Sequence, residues 1–232
     1  MEKLSGKIIM RTVLHLCAIT LLLSACVTTK KTETSAVLST LSLTDRVQAA
    51  VTEIQKNVTE ALPDEIAGLK SAEPVADREK NQRGAGFTRA YTADDIVATV
   101  FVYNNQNFGV SEEDEIALDA LMDKHLQEFL SLQDSGLYTN VKTGTKKQRE
   151  FRWKGVKYQV LEVDVQFFQK DEAKKSFLVL GANKDLMSYV RIRYTYPESK
   201  QAEMNKKQGV FTRAVMVGLH DFALTQKTPA AQ

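Results

Sequence analysis

Cysteine is scarce in this chain of 232 residues, which holds only Cys17 and Cys26. No residue after Cys26 can therefore form a disulfide, supply a thiolate to a metal or act as a cysteine nucleophile. The chain also lacks the GxxxxGK[ST] phosphate loop, the HExxH zinc helix, the CxxC pair and the GxSxG nucleophile turn. The chain therefore carries none of the common signatures of nucleotide hydrolases, zinc peptidases, thiol–disulfide enzymes or serine hydrolases.

An excess of charge of one sign is also absent. The chain has 31 basic and 29 acidic residues, and three of the basic and one of the acidic residues lie in residues 1–25. The 207 residues that follow therefore carry 28 of each sign. A nucleic-acid-binding protein is expected to keep a basic excess or stripe. The sequence accordingly predicts no nucleic-acid partner.

The one long apolar stretch lies near the N-terminus, over residues 12–23, and follows three basic residues. This arrangement is typical of a secretory signal peptide. The stretch closes with Leu23-Ser24-Ala25-Cys26, which resembles the lipobox of bacterial lipoproteins: a leucine, two small residues and a cysteine. The resemblance implies cleavage between Ala25 and Cys26 and lipidation of the Cys26 thiol and its new amine.

Lipidation of Cys26 would attach the protein to a membrane permanently. One acyl chain holds a protein only marginally, but lipoproteins of this type carry a diacylglyceryl group and often a third chain. The alternatives are an ordinary cleaved signal or an uncleaved anchor, although the apolar run is shorter than the about 20 residues of a membrane span. In a Gram-negative cell, Val27 in place of a retention aspartate implies the outer membrane, with the body facing the periplasm. In a Gram-positive host the site would be the outer face of the plasma membrane.

Composition and periodicity divide the chain into five predicted segments. Apolar residues spaced by three and four from Leu43 indicate a helix, with Thr44 as its cap and Pro63 as its end. The stretch from Pro63 to Gly86 holds two prolines and three glycines, which favours a mobile surface loop. The segments are a signal peptide over 1–25, a lipidated flexible tether over 26–42, an amphipathic helix and mobile loop over 43–86, an α+β domain over 87–224 and a disordered tail over 225–232.

The predicted domain alternates strand and helix patterns. A hairpin turns at Asp94-Asp95, Ser111 caps a helix, and Lys154-Gly155 forms a second hairpin turn. Two strands, a helix, four strands and a helix predict an α+β fold with an antiparallel sheet flanked by helices. The predicted elements are strands at 87–92, 96–103, 138–153, 156–168, 176–180 and 186–196, and helices at 111–134 and 200–224.

This order of elements, from about Leu62 to Leu224, resembles the PsbP-like fold. A loose sequence echo is Ala98-Thr99-Val100-Phe101-Val102-Tyr103. Members of that family act mostly as binding or assembly proteins. The resemblance therefore implies a sheet flanked by helices and a binding role, and it brings no catalytic motif or cofactor.

Two charged pairs have the spacing that places side chains on one face of a strand: Glu162 with Asp164, and Arg191 with Arg193. If the two strands are neighbours, the four residues could form cross-strand ion pairs or line a polar pocket or partner site. An acid–base pair of the glycosidase type is also conceivable. A second candidate surface is the basic and aromatic run around Trp153 and Lys154, which could contact anionic headgroups or an acidic partner, or be a solvated hairpin.

His125 falls on the apolar face of its predicted helix, without further ligands for a metal. We interpret it as a buried histidine that bonds a neighbouring backbone group. The acidic run at residues 112–115 is interpreted as stabilising the N-terminus of a helix. No catalytic residue, cofactor or metal is predicted.

The sequence favours a membrane-anchored envelope lipoprotein that acts as a non-enzymatic binding or assembly module for an envelope protein complex. One alternative is a periplasmic hydrolase or other enzyme that uses Glu162, Asp164 and Arg191. The other is a carrier of lipids or small molecules. Convergent carboxylates of raised pKa in a cleft would favour the enzyme. An apolar cavity would favour the carrier. A flat patch around Trp153 and Lys154 would favour a partner-binding module.

Overall fold

The computed structural model describes residues 42–111 and 114–227. The lipobox, nearly all of the predicted tether and residues 228–232 lie outside this part of the chain. The described residues from Ala50 onward belong to one compact unit. None of the helices within the described ranges is long and apolar enough to cross a bilayer. The helices are α1 (Leu43–Glu60), α2 (Glu115–Asp134) and α3 (Gln201–Lys227), with short 3-10 helices at Lys184–Leu186 and Glu198–Lys200.

An open antiparallel sheet of ten strands, flanked by the three helices, forms the architecture. Neighbouring strands follow the order β1-β2-β4-β5-β10-β9-β8-β6, with β3 added to β4 and β7 added to β8. The predicted α+β fold with an antiparallel sheet is therefore confirmed. The strands are β1 (Glu65–Ile66), β2 (Leu69–Ser71), β3 (Ala76–Asp77), β4 (Phe87–Ala93), β5 (Ile96–Tyr103), β6 (Thr139–Thr143), β7 (Lys147–Trp153), β8 (Val156–Gln169), β9 (Glu172–Asn183) and β10 (Ser188–Pro197).

Each face of the sheet has its own apolar core. On one face, α3 inserts Phe211 between two tyrosines of the sheet, with ring centroids 5.4 Å from Tyr91 and 5.6 Å from Tyr194. On the other face, α2 contributes buried Met122 and Phe129 to a second cluster. Because successive strand residues point to opposite faces, every central strand contributes side chains to both cores.

The two predicted hairpins are present. Strands β4 and β5 pair from Phe87 with Val102 to Ala93 with Ile96. Strands β7 and β8 turn at Lys154 and Gly155, whose φ values of 49° and 81° are both left-handed. Two such residues in a two-residue loop match the twist of the flanking strands.

The segment from Pro63 to Gly86 differs from its prediction as a loop without structure. It contains the short strands β1, β2 and β3, which extend the sheet beside β4. Ile66 and Leu69 are buried in the core on the α3 face. Strands of two or three residues are too short to produce a periodic pattern, so composition alone indicated a loop.

Arg89 ties the start of this segment to the sheet. Its guanidinium donates to the backbone carbonyls of Glu60, at 2.9 Å, and Leu62, and its Nε donates to the Ser71 hydroxyl at 3.2 Å. It also forms an ion pair with Asp64. One buried side chain therefore joins the end of α1, the following turn and strand β2.

Glu79 stabilises the turn at the end of the segment. Its carboxylate accepts the backbone N–H groups of Gly84, at 2.9 Å, and Gly86, at 2.7 Å. Gly86 has a φ of 66°, and a Cβ atom there would lie 1.9 Å from the carbonyl oxygen of Val102. Only glycine can bring the chain this close to β5.

Several element boundaries also differ from prediction. Helix α1 begins at Leu43, because the Ser42 hydroxyl, and not that of Thr44, accepts the N–H of Asp45 at 3.1 Å. Helix α3 continues to Lys227, into the predicted disordered tail. Helix α2 begins at Glu115, because the Asp114 side chain, and not that of Ser111, accepts the N–H of Ala117 at 2.9 Å. The single strand predicted over 138–153 is split into β6 and β7. The split lies at Gly144, whose N–H bonds the carbonyl of Asp164 at 2.7 Å, so both strands follow the same edge of β8.

Candidate functional site

A cleft of about 570 Å³ opens between helix α3 and strands β7 to β9. We call it the α3 cleft. It lies on the sheet face that α3 covers, where the helix leaves the outer part of β7 and β8 uncovered. Its strand side carries Arg149, Glu162 and Asp164, and its helix side carries Gln208, Thr212 and Arg213.

The strand side holds two of the predicted site residues together. Glu162 and Asp164 share a face of β8, as their spacing predicted. The Glu162 side chain is only 14% exposed, and the Nε of Arg149 donates to it at 3.0 Å. Burial raises the pKa of Glu162 above its usual range, the Asp164 charge adds to the rise, and Arg149 opposes it. Asp164 is exposed, and its carboxylate pairs with no side chain among the described residues.

The helix side presents polar groups that lack partners. The buried Thr212 hydroxyl and the side-chain oxygen of Gln208 make no hydrogen bond within the described part of the chain. One turn earlier, Gly209 leaves open space, because a Cβ atom there would contact nothing within 4 Å. A buried hydroxyl without a partner costs free energy, and both residues lie on the wall of the cleft.

Trp153 and Lys154 lie at the far end of the same hairpin, but they do not form a flat open patch. The Arg213 guanidinium lies 5.2 Å from the Trp153 ring centroid, and the Trp153 Nε1 atom is buried. Lys154 bonds Asp221 of α3 at 3.2 Å. The hairpin tip is thus packed against α3, and Arg213 connects it to the cleft.

Arg191 and Arg193 lie on the opposite face of the sheet, so the predicted quartet with Glu162 and Asp164 does not assemble. Strand β9 separates β8 from β10. Across β9, Glu162 is opposite Val179, whereas Arg191 is opposite Leu180, and these two partners point to different faces. The premise that the two strands are neighbours was wrong.

Both arginines instead stack on aromatic rings of the face that α2 covers. Arg193 lies 4.3 Å from the Phe129 ring centroid and donates to the Tyr138 hydroxyl at 2.7 Å. Arg191 lies 3.9 Å from the Phe101 ring centroid. These distances are typical of cation–π contacts.

A buried polar network that the sequence did not reveal surrounds Arg191. His125 Nε2 lies 2.6 Å from the Tyr103 hydroxyl, and its Nδ1 lies 2.8 Å from Glu128. Burial lowers the pKa of His125, and the Arg191 charge contributes in the same direction, while Glu128 opposes them. The histidine is buried as predicted, but its partners are side chains and not a backbone group. The available signal was Glu128 itself, three residues along the same helix.

Among residues 42–111 and 114–227, no group of three or more histidine, cysteine or acidic side chains is placed to hold a metal ion.

No protein-family model matches the chain, and no curated protein matches it. Among solved structures, the solution structure of cyanobacterial PsbP (CyanoP) from Synechocystis sp. PCC 6803 is similar at a TM-score of 0.40 and 9% sequence identity. The similarity covers 64% of this chain and 85% of that one. The PsbP-like resemblance is therefore a distant one.

Proposed function

We propose that this protein is a lipid-anchored envelope lipoprotein whose α+β domain is a non-enzymatic binding module. In this proposal Cys26 carries the anchor, and the α3 cleft receives a charged peptide segment of an envelope protein partner. In a Gram-negative cell the module would face the periplasm from the outer membrane. The observation that supports binding is the set of unpartnered polar groups in the cleft.

The chemistry of the cleft favours a peptide as its ligand. Asp164 and the exposed side of Glu162 can bind a lysine or arginine side chain, while Arg149 and Arg213 can bind a carboxylate. The Thr212 hydroxyl can bond a peptide carbonyl or N–H. A volume of about 570 Å³ falls within the usual range of ligand pockets. The mixed charge and polar lining disfavour the lipid-carrier alternative.

The anchor is tested by metabolic labelling with a radioactive fatty acid. We expect label on the wild-type protein and none on the Cys26→Ser variant. Label that persists after Cys26→Ser, or an unlabelled wild-type protein, would contradict the lipobox assignment.

The binding role is tested by photo-crosslinking in native membranes. A photoreactive amino acid replaces Asn205, which lines the cleft, or Val97, which is exposed on the other face of the sheet. We expect one protein crosslinked from position 205 and not from position 97, with loss of the product in Asp164→Lys. Equal products from both positions, or no change with Asp164→Lys, would contradict a role for the cleft.

One observation favours a second candidate, a hydrolase. Glu162 has a raised pKa, which suits a general acid, and Asp164 supplies a second carboxylate nearby. Arg191 cannot take part, because it lies on the other face of the sheet. A hydrolytic activity towards glycoside or ester substrates that is lost in Glu162→Gln and Asp164→Asn, with binding of the crosslinked partner unchanged, would support this candidate over the binding module.

A further inference from the structure

A second cavity, of about 310 Å³, lies on the face of the sheet that α2 covers. We call it the α2 pocket. It is bounded by α2, by strands β5 and β10, and by the turn that follows β3. Its charged lining consists of Arg78, Lys124, Arg191 and Glu128. It shares no residue with the α3 cleft.

The charge of the α2 pocket is unbalanced. Three basic side chains face one carboxylate, and burial lowers the pKa of His125, which disfavours a further positive charge on its ring. Arg78 and Lys124 make no side-chain hydrogen bond or ion pair with any described residue. Cations of one sign that converge on a concave site attract anions and raise their local concentration.

Arg191 is held rigidly at the base of this pocket. Its side chain is 12% exposed and stacks on Phe101 at 3.9 Å. Its NH1 group donates to Glu128 at 2.6 Å, but its Nε–H is buried and has no acceptor. A guanidinium fixed in this way offers a planar pair of donors to a carboxylate or a phosphate.

Two side chains compete for one ring nitrogen of His125. Both Arg191 NH1, at 2.6 Å, and Glu128 Oε1, at 2.8 Å, approach its Nδ1 atom. A neutral imidazole nitrogen either accepts or donates, so only one of these contacts is a hydrogen bond at a time. An anion that accepts hydrogen bonds from the Arg191 guanidinium would weaken the contact of NH1 with Nδ1 and leave Nδ1–H to donate to Glu128.

We propose that the α2 pocket binds a small oxyanion, a carboxylate or a phosphate group. Arg191 is the buried donor, and Lys124 and Arg78 supply charge at the rim. Binding gives the Arg191 Nε–H an acceptor and resolves the competition at His125. This site is independent of the α3 cleft, so each proposal can fail without the other.

The test is a titration of the full-length protein in a non-ionic detergent, followed by NMR of the arginine Nε–H and histidine ring signals. Inorganic phosphate and acetate are added in separate arms, with sodium chloride at equal ionic strength as the reference. We expect a saturable downfield shift of the Arg191 Nε–H and a shift of the His125 ring signals. The arm that saturates at lower concentration identifies the phosphate or carboxylate source.

Variants at the rim keep the test independent of folding. Lys124→Gln and Arg78→Gln remove exposed side chains, and each is expected to weaken binding about twofold to fivefold, the effect of one exposed ion pair. Lys206→Gln on α3 makes the same charge change away from the pocket and should leave binding unaltered. Arg191→Met should abolish it. Shifts that chloride reproduces, that never saturate, or that Lys206→Gln weakens as much as Lys124→Gln would overturn the proposal.

Discussion

Removal of the Arg89 side chain should destabilise the protein far more than removal of its ion-pair partner. The change is Arg89→Met, which keeps most of the apolar stem and deletes the guanidinium. Arg89 is 6% exposed, whereas the Asp64 side chain that it pairs with is 97% exposed. The matched change is therefore Asp64→Asn, which removes the charge and keeps the shape.

The magnitudes follow from the groups left without partners. Arg89→Met removes the donor to the buried Leu62 carbonyl, and the Glu60 carbonyl and Ser71 hydroxyl lose theirs as well. A hydrogen bond to a charged group contributes about 1.5–3 kcal/mol, and water can replace it where the acceptor is exposed. We therefore expect a loss of about 3–4 kcal/mol for Arg89→Met. An exposed ion pair contributes about 0–1 kcal/mol, which sets the expected loss for Asp64→Asn.

The assay is urea unfolding followed by far-UV circular dichroism, with the free energy of unfolding extrapolated to water. Arg152→Met is the control, because it deletes another guanidinium, one with an exposed side chain, and should cost less than about 0.5 kcal/mol. If Asp64→Asn cost as much as Arg89→Met, the ion pair would be the main contribution. If Arg89→Met cost less than about 1 kcal/mol, the carbonyl contacts would contribute little, and the reasoning would be refuted.

Three further predictions use the same assay. Gly86→Ala should lower the free energy of unfolding by more than about 3 kcal/mol, because its Cβ would overlap a backbone carbonyl. Gly68→Ala, with a positive φ but open space around it, should lower it by about 1–2 kcal/mol. Equal losses would show that overlap is unimportant. Glu162 has a raised pKa, so the stability associated with its neutral form is present below the unfolded pKa and is lost as the pH rises through the folded pKa. Glu162→Gln should therefore gain stability relative to wild type between about pH 4 and pH 7, and a relative loss would mean that its ion pair outweighs burial. Phe211→Ala should cost about 3–5 kcal/mol, and the exposed neighbour Val210→Ala less than about 0.5 kcal/mol; similar values would contradict the packing of α3.

Local chemistry made several elements predictable from the sequence. The turn at Lys154 and Gly155 contains a glycine, which accepts a positive φ, and the apolar alternation on both sides indicated the paired strands. Helix α2 ends at Asp134, the last residue of its predicted range. Each of these signals depends on residues within a few positions of each other, so the local sequence is enough to predict the turn or the helix end.

The relations between distant strands were not predictable. Spacing correctly placed Glu162 with Asp164, and Arg191 with Arg193, on common faces. It could not show that β9 lies between the two strands, because strand order depends on the packing of the whole sheet. Glu162 and Asp164 were therefore predicted in one charged quartet with Arg191 and Arg193, although the structure holds the two pairs on opposite faces of the sheet.

The alternation of side chains along β10 restricts where the chain can gain or lose a residue. Val190 and Ile192 point to the core under α3, while Arg191 and Arg193 point to the rings and charges under α2. A single inserted residue before this run would exchange the two sets, because it moves every later side chain to the other face. Two guanidinium groups would enter an apolar core at once. Related chains should thus keep both the length of this strand and its alternation of side chains, with insertions and deletions confined to turns such as Lys154–Gly155.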